Sequence, residues 1–189
     1  MEDFMEQPSA ESKINHAEKE VISAIAETMD LYGITPSIGR LYATMYFKQH
    51  PMTLDEMTDD LAMTKASMST AVRNLQEIHI VRKTWQKGSR KDHFMAEKDF
   101  FNYFGRFFGG KWKREAELNL SAIKQAEYQL QEVIEDETIE ENLMERAKQD
   151  LEQLQEYKKY CHWLQKLVRS IDSGEIFDFL PVDDSNSNT

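Results

Sequence analysis

A single cysteine, Cys161, excludes an intrachain disulfide framework and suits a reducing compartment. No run of about 18 apolar residues occurs, so the sequence predicts no membrane span. The stretch Met1-Glu2-Asp3-Phe4-Met5-Glu6 is acidic and has no basic segment of the kind a secretory signal carries, so a cytoplasmic location is expected. Catalytic signatures are also scarce. The five histidines (His16, His50, His79, His93, His162) lack metal-ligand spacing, and Cys161-His162 has no second thiolate nearby in sequence. Neither a phosphate-binding nor a dinucleotide glycine pattern is present. No enzyme activity, metal or cofactor is expected. What remains is a chain of 189 residues, 40% apolar and 30% charged, with a net charge of −11: too hydrophobic to stay unfolded and large enough to bury a core.

Proline is absent between Pro51 and Pro181, so nothing in that interval forbids a helix on proline grounds. Residues 1–13 and the polar end of the chain read as frayed. A first helix is expected from about 14 to 31, with Ile14, Val21, Ile22, Ile25 and Met29 at helical spacing, and a second from about 37 to 49, capped by Ser37. Thr53-Leu54-Asp55-Glu56 is a capping box, in which hydroxyl and carboxylate each satisfy the other residue's free amide. The short helix it opens is followed by Ala62-Met63 and by Thr64, which caps a further helix over 65–76. Two short helices joined by about three residues make a helix-turn-helix. On the second helix Met68, Val72, Leu75 and His79 stack on one side. Ala66, Thr70 and Arg73 face the other way, flanked by Lys65, Ser67, Ser69 and Asn74. Small side chains allow close approach to a major groove, while hydroxyls and a guanidinium bond to base edges and phosphates.

Next comes a strand-like segment, Val81-Arg82-Lys83-Thr84-Trp85. A basic turn around Gly88 follows it, and then a return over His93-Phe94-Met95-Ala96. A hairpin after a reading helix is a winged helix-turn-helix, with Lys87, Arg90 and Lys91 on the wing. From 64 to 98 there are eight cationic residues (Lys65, Arg73, Arg82, Lys83, Lys87, Arg90, Lys91, Lys98) against three acidic ones (Glu77, Asp92, Glu97). That surplus of five in a chain of net −11 leaves −16 for the rest. A basic footprint on an acidic protein is what a duplex-DNA contact surface needs.

The second half reads as long helices. Seven of the chain's 20 aromatics fall within residues 100–112, and Gly105, Gly109 and Gly110 among them suggest a kink or a close approach by another backbone. After a break at Asp136-Glu137-Thr138, a last helix is expected from about 139 to 172. Its apolar residues Leu154, Tyr157, Cys161, Leu164, Val168 and Ile171 step by three and four, as on a coiled-coil seam. Homodimerisation through this seam accounts for it and would present two reading helices to a pseudo-palindromic site; a hairpin within one chain, packed on the DNA-binding lobe, is the alternative. The expected organisation is therefore mainly α: a flexible start (1–13), a winged helix-turn-helix with a small β-hairpin wing (14–98), two long dimerisation helices (99–175) and a tail (176–189).

This order resembles the MarR-type winged-helix regulators. The strings from Met29 to Tyr42 (MDLYGITPSIGRLY), Met52 to Met57 (MTLDEM), Ser67 to Thr70 (SMST), Lys87 to Asp92 (KGSRKD) and Ser173 to Phe177 (SGEIF) look like the GbsR/OpcR subgroup. The resemblance implies a bacterial repressor of genes for choline and glycine-betaine uptake or synthesis, some relatives of which sense choline or betaine. A quaternary ammonium binds best among aromatic faces, and Tyr32, Tyr42, Tyr46, Tyr103, Phe107 and Trp112 are the residues that could form such a cage. The alternative for those six is a plain aromatic core. The alternative for the whole protein is an acidic coiled-coil adaptor without specific DNA binding.

Overall fold

In the computed structural model, residues 9–182 are described, and the chain divides into two compact units, Met1–Tyr103 and Phe104–Thr189. Residues 1–8 and 183–189, which hold most of the expected flexible start and the end of the expected tail, lie outside the described residues.

The first unit opens with α1 (Ala10–Asp30), four residues ahead of the expected start. Ser9 explains the shift: its hydroxyl accepts from the Ser12 amide at 3.2 Å, so the helix has a cap that the apolar spacing alone did not reveal. Helix α2 (Pro36–Phe47) begins with Pro36 in its first turn, and Thr35 occupies the cap position without a side-chain bond. The expected cap by Ser37 is therefore corrected. Ser37 lies inside the helix, 3.2 Å from the Thr35 hydroxyl, because proline's preset φ and missing N–H suit the first helical position. Helices α1 and α2 meet at Gly39, where an added Cβ would sit 3.0 Å from the Ala26 Cα. Only a glycine allows the two backbones that close.

Beyond α2 come β1 (Met52–Thr53), α3 (Leu54–Leu61), α4 (Lys65–Glu77), β2 (Val81–Thr84) and β3 (His93–Ala96). The strands form one antiparallel sheet in the order β1-β3-β2, with Met52 opposite Phe94 and Val81 opposite Ala96. The two-residue β1 was not foreseen; it supplies no periodicity, and pairing with β3 alone defines it. A core drawn from helices and sheet includes Leu41, Tyr42, Met57, Met68, Leu75, Ile80 and Phe94. His79 departs from the expected stack. It is exposed with φ +60°, and Ile80, one residue later, fills the core instead. A left-handed residue just past the helix reverses the chain and shifts the inward position by one.

The short helix α5 (Phe100–Phe104) is capped by Asp99, whose Oδ1 accepts from the Phe101 amide at 2.8 Å. Tyr103, near its end, stacks on Tyr42 at 5.3 Å and belongs with the first unit.

In the second unit a π-helical segment, Gly105–Gly109, precedes α6 (Gly110–Glu135), α7 (Glu141–Ser173) and α8 (Ile176–Phe179). The expected disturbance at the glycines is thus a change of helical pitch, and a Cβ on Gly105 would lie 3.1 Å from Ile171 Cγ2 of α7. Gly174, at φ +82°, closes α7 as a left-handed cap. Helices α6 and α7 form a hairpin, pinned along its length where Lys158 Nζ meets Glu127 at 2.8 Å.

That hairpin corrects the expected dimer seam. Cys161, Leu164, Val168 and Ile171 are buried within the single chain, together with Phe107, Ala116, Ile123 and Ala147. The three-four rhythm is spent on α6 and the π-segment of the same chain, because an antiparallel partner joined by five residues is always at hand. Leu154 is half-buried and Tyr157 is exposed.

Candidate nucleic-acid interface

The helix-turn-helix is set by its caps. Thr53 Oγ1 accepts from the Glu56 amide at 3.3 Å, and Glu56 Oε2 accepts from the Thr53 amide at 2.6 Å, completing the capping box. These bonds from Thr53 hold the Glu56 carboxyl below the usual range. Ala62 turns the chain in a left-handed conformation, and Thr64 Oγ1 then accepts from the Ser67 amide at 3.2 Å to open α4. Met68, Ala71, Val72 and Leu75 face the core. Their burial leaves Lys65, Ala66, Ser67, Thr70 and Arg73 exposed as one face, with Ser69 half-buried at its edge. The Thr70 hydroxyl donates back to the Ala66 carbonyl at 3.2 Å, so its oxygen is presented as an acceptor.

Strands β2 and β3 carry the wing, and Lys87, Arg90 and Lys91 are exposed on the loop between them. Its base is anchored by buried His93, whose Nδ1 lies 2.9 Å from the Lys91 carbonyl. The cations fall into two sets. Lys83 pairs with Asp92 at 2.8 Å, and Lys65 and Lys91 each reach Asp55 at 2.7 Å. Arg73, Lys87 and Arg90 have no ion-pair partner among the described residues. The two lysines, Lys65 first, push the Asp55 carboxyl down to about 2. Its partner Lys91 is raised by the same bond.

Two features escaped the sequence reading. Asp55 reads there only as part of a capping box; the usable signal was a second acid beside Glu56 in the first turn of a helix that leads into a basic segment. Trp85, expected on the outgoing strand, lies past its end and is 79% exposed, a position that only the strand's length reveals.

The six cage candidates are not gathered into one site within either unit. Tyr42, Tyr46 and Tyr103 cluster around Phe100 in the first unit, with Tyr32 46% exposed. Phe107 and Trp112 flank Phe108 in the second. Tyr42 is wholly buried; its hydroxyl donates to the Glu97 carbonyl at 2.8 Å, and its face is covered by Tyr103. Burial pushes its phenol well up. Tyr42 is thus a core residue with no open face for a ligand. Phe107, 1% exposed, already carries Lys111 Nζ over its ring at 4.5 Å. A cleft of about 780 Å³ opens between α1, α2 and α3, lined by none of the six.

Residues 100–178 match the family described as "GbsR family transcriptional regulator, C-terminal helical hairpin". The chain is 49% identical over 170 residues to the "HTH-type transcriptional repressor GbsR" of Bacillus subtilis (strain 168), covering 90% of this chain and 94% of that protein. The chain belongs to the GbsR family. A second relative of this GbsR-family chain in the same organism, the "HTH-type transcriptional repressor OpcR", is 31% identical over 89% of this chain and 91% of its own length. A solved structure, "Crystal Structure of a transcriptional regulator", shares the fold with a TM-score of 0.56 at 14% identity, over 84% of this chain and 98% of that one. The GbsR-family chain is a DNA-binding transcriptional regulator with a winged helix-turn-helix. Among its described residues no helix is long and apolar enough to cross a membrane.

Proposed function

We propose that the protein is a homodimeric repressor that binds a specific duplex operator through α4 and the wing and answers to choline or glycine betaine. The observation that carries the DNA reading is the exposed face of Ala66, Ser67, Thr70 and Arg73, beside a wing whose Lys87 and Arg90 have no acidic partner among the described residues. In this reading Arg73 reads base edges, Ser67, Ser69 and Thr70 support it, and Lys65, Lys87, Arg90 and Lys91 hold phosphates. The GbsR and OpcR relatives are named transcriptional repressors, and in this reading repression follows from occupying a promoter. The second unit is the dimerisation region. With the expected seam spent inside the chain, Tyr157, Tyr160 and Trp163 remain exposed along α7, stacked at 6.1 and 6.2 Å, as apolar surface for a second copy.

Ligand sensing is supported by the resemblance and by aromatic density around 100–112; the candidates that are not fully buried are Tyr32, Tyr46, Tyr103 and Trp112. Selection of bound fragments from random duplex, followed by affinity measurement across salt, tests the DNA reading. A selected sequence and a steep loss of affinity with salt are expected; no enrichment and no salt dependence would overturn it. Choline titrated against tryptophan fluorescence, with Trp112→Ala alongside, tests the sensing. A saturable change is expected, and a flat titration of the parent protein removes the ligand.

A further inference from the structure

Asp55 stands in the first turn of α3, yet its two oxygens serve two other segments. Oδ1 takes Lys65, the first residue of the reading helix, and Oδ2 takes Lys91, on the wing loop, each at 2.7 Å. Lys91 is itself held: its amide donates to the Ser89 hydroxyl at 3.2 Å, and its carbonyl lies against buried His93. The carboxylate thus joins a loop fixed to the sheet with the N-terminus of α4. We infer that Asp55 is a positioning residue for operator discrimination, setting the register between reading helix and wing by holding Lys65 and Lys91 together. This inference rests on the DNA reading proposed above.

Each ammonium has three donors, so one bond to Asp55 leaves two for a phosphate. The lysines need not leave the carboxylate to meet DNA; they arrive as a pair with a set spacing. Phosphate contacts fix how a protein sits on the duplex, and base contacts then read whatever that register presents. Cutting the link frees the wing to find phosphates at other offsets. Wrong sites are then tolerated, and the lost negative charge favours DNA of any sequence.

The test compares affinity for a duplex selected by the wild-type protein with affinity for a scrambled duplex. Asp55→Asn is expected to raise scrambled-duplex affinity and to lower the selected-to-scrambled ratio by about fivefold, in the range of couplings between neighbouring residues. Lys91→Gln is expected to lower the ratio as well, whereas Lys87→Gln lowers both affinities alike. The double variant, Asp55→Asn with Lys91→Gln, should be no worse in ratio than either single change, because one link is cut only once. Equal shifts on both duplexes in Asp55→Asn, or a ratio that does not move, would overturn the inference and leave Asp55 a competing surface charge. Lys91→Gln alone, which leaves α3 untouched, answers the question if Asp55→Asn does not fold. Should the wild-type protein select no duplex, the DNA reading fails; should it select one and the ratio hold, this inference alone fails.

Discussion

The two units reach stability by different means. The first buries a core from four helices and three strands, with Tyr42, Leu41, Met57, Met68, Leu75 and Ile80 all inaccessible to solvent. The second is a hairpin with a thin line of buried residues, and it leaves Tyr128, Tyr157, Tyr160 and Trp163 in contact with water. Both units are acidic overall, with net charges of −4 over residues 1–103 and −7 over 104–189. Net charge therefore does not say which of them meets DNA. Placement supports the proposed reading: in the first unit exposed cations lie on α4 and the wing, while in the second Lys158, Lys159 and Arg146 sit beside Glu127, Glu156 and Asp150. A phosphate surface is made by separating charge along the chain rather than by adding it.

The contrast is broken most forcefully in the hairpin. Leu164→Ala, which empties a buried position where few neighbours can collapse inward, should cost the second unit about 2–5 kcal/mol. Calorimetry should show a hairpin transition at lower temperature, and an unchanged transition would place Leu164 at an interface between copies instead. Next in size, Arg73→Ala should cost about 1–3 kcal/mol of operator binding and relax base choice at one position. Arg90→Ala should weaken all duplexes alike and reduce the salt slope, both read by fluorescence anisotropy.

Tyr42→Phe sharpens the picture of the first core. It removes the hydroxyl that donates to the Glu97 carbonyl and should cost about 1–2 kcal/mol in urea unfolding. The same residue makes stability fall at high pH. The unfolded phenol loses its proton near pH 10, about its ordinary value, while the buried one keeps it, so protons held by the fold alone make it weaker as pH rises. The alkaline loss should shrink in Tyr42→Phe. Asp55 has the opposite sign. Its carboxyl is pushed down to about 2, so the link to Lys65 and Lys91 is whole above the ordinary carboxylate range near 4 and is lost only as pH falls toward 2. Operator discrimination should therefore be indifferent to pH between 6 and 8, roughly a physiological span. The smallest effect belongs to Trp163→Ala, which should shift hairpin stability by no more than about 0.5 kcal/mol. It should weaken self-association in sedimentation equilibrium; an unchanged dimer would move the interface elsewhere.

Local chemistry made much of this protein legible from its residues. The capping box at Thr53 and Glu56, the Thr64 cap, the short turn between them and the Gly174 stop all depend on neighbours within about four residues, and all are found where expected. The outward face of α4 followed from the 100° turn per residue once its inward residues were known. Errors arose where a residue had to choose among distant partners. Nothing in their spacing told Cys161, Leu164, Val168 and Ile171 whether to meet a second chain or α6 of their own. Tyr42 read as a ligand-facing aromatic because nothing local said that Tyr103 would cover it.

The amino-acid order by itself determined where the caps of the helix-turn-helix fall, where the last long helix stops, which side of the reading helix is polar, and where positive charge accumulates, since these are matters of near-neighbour hydrogen bonding and helical pitch. Only the tertiary structure decided that the C-terminal rhythm closes on its own chain, that the two-residue β1 joins the wing sheet, and that one carboxylate meets Lys65 and Lys91 from ten and thirty-six positions away. Such pairings are set by which surfaces the whole chain can bury at once, and no short window of sequence carries that information.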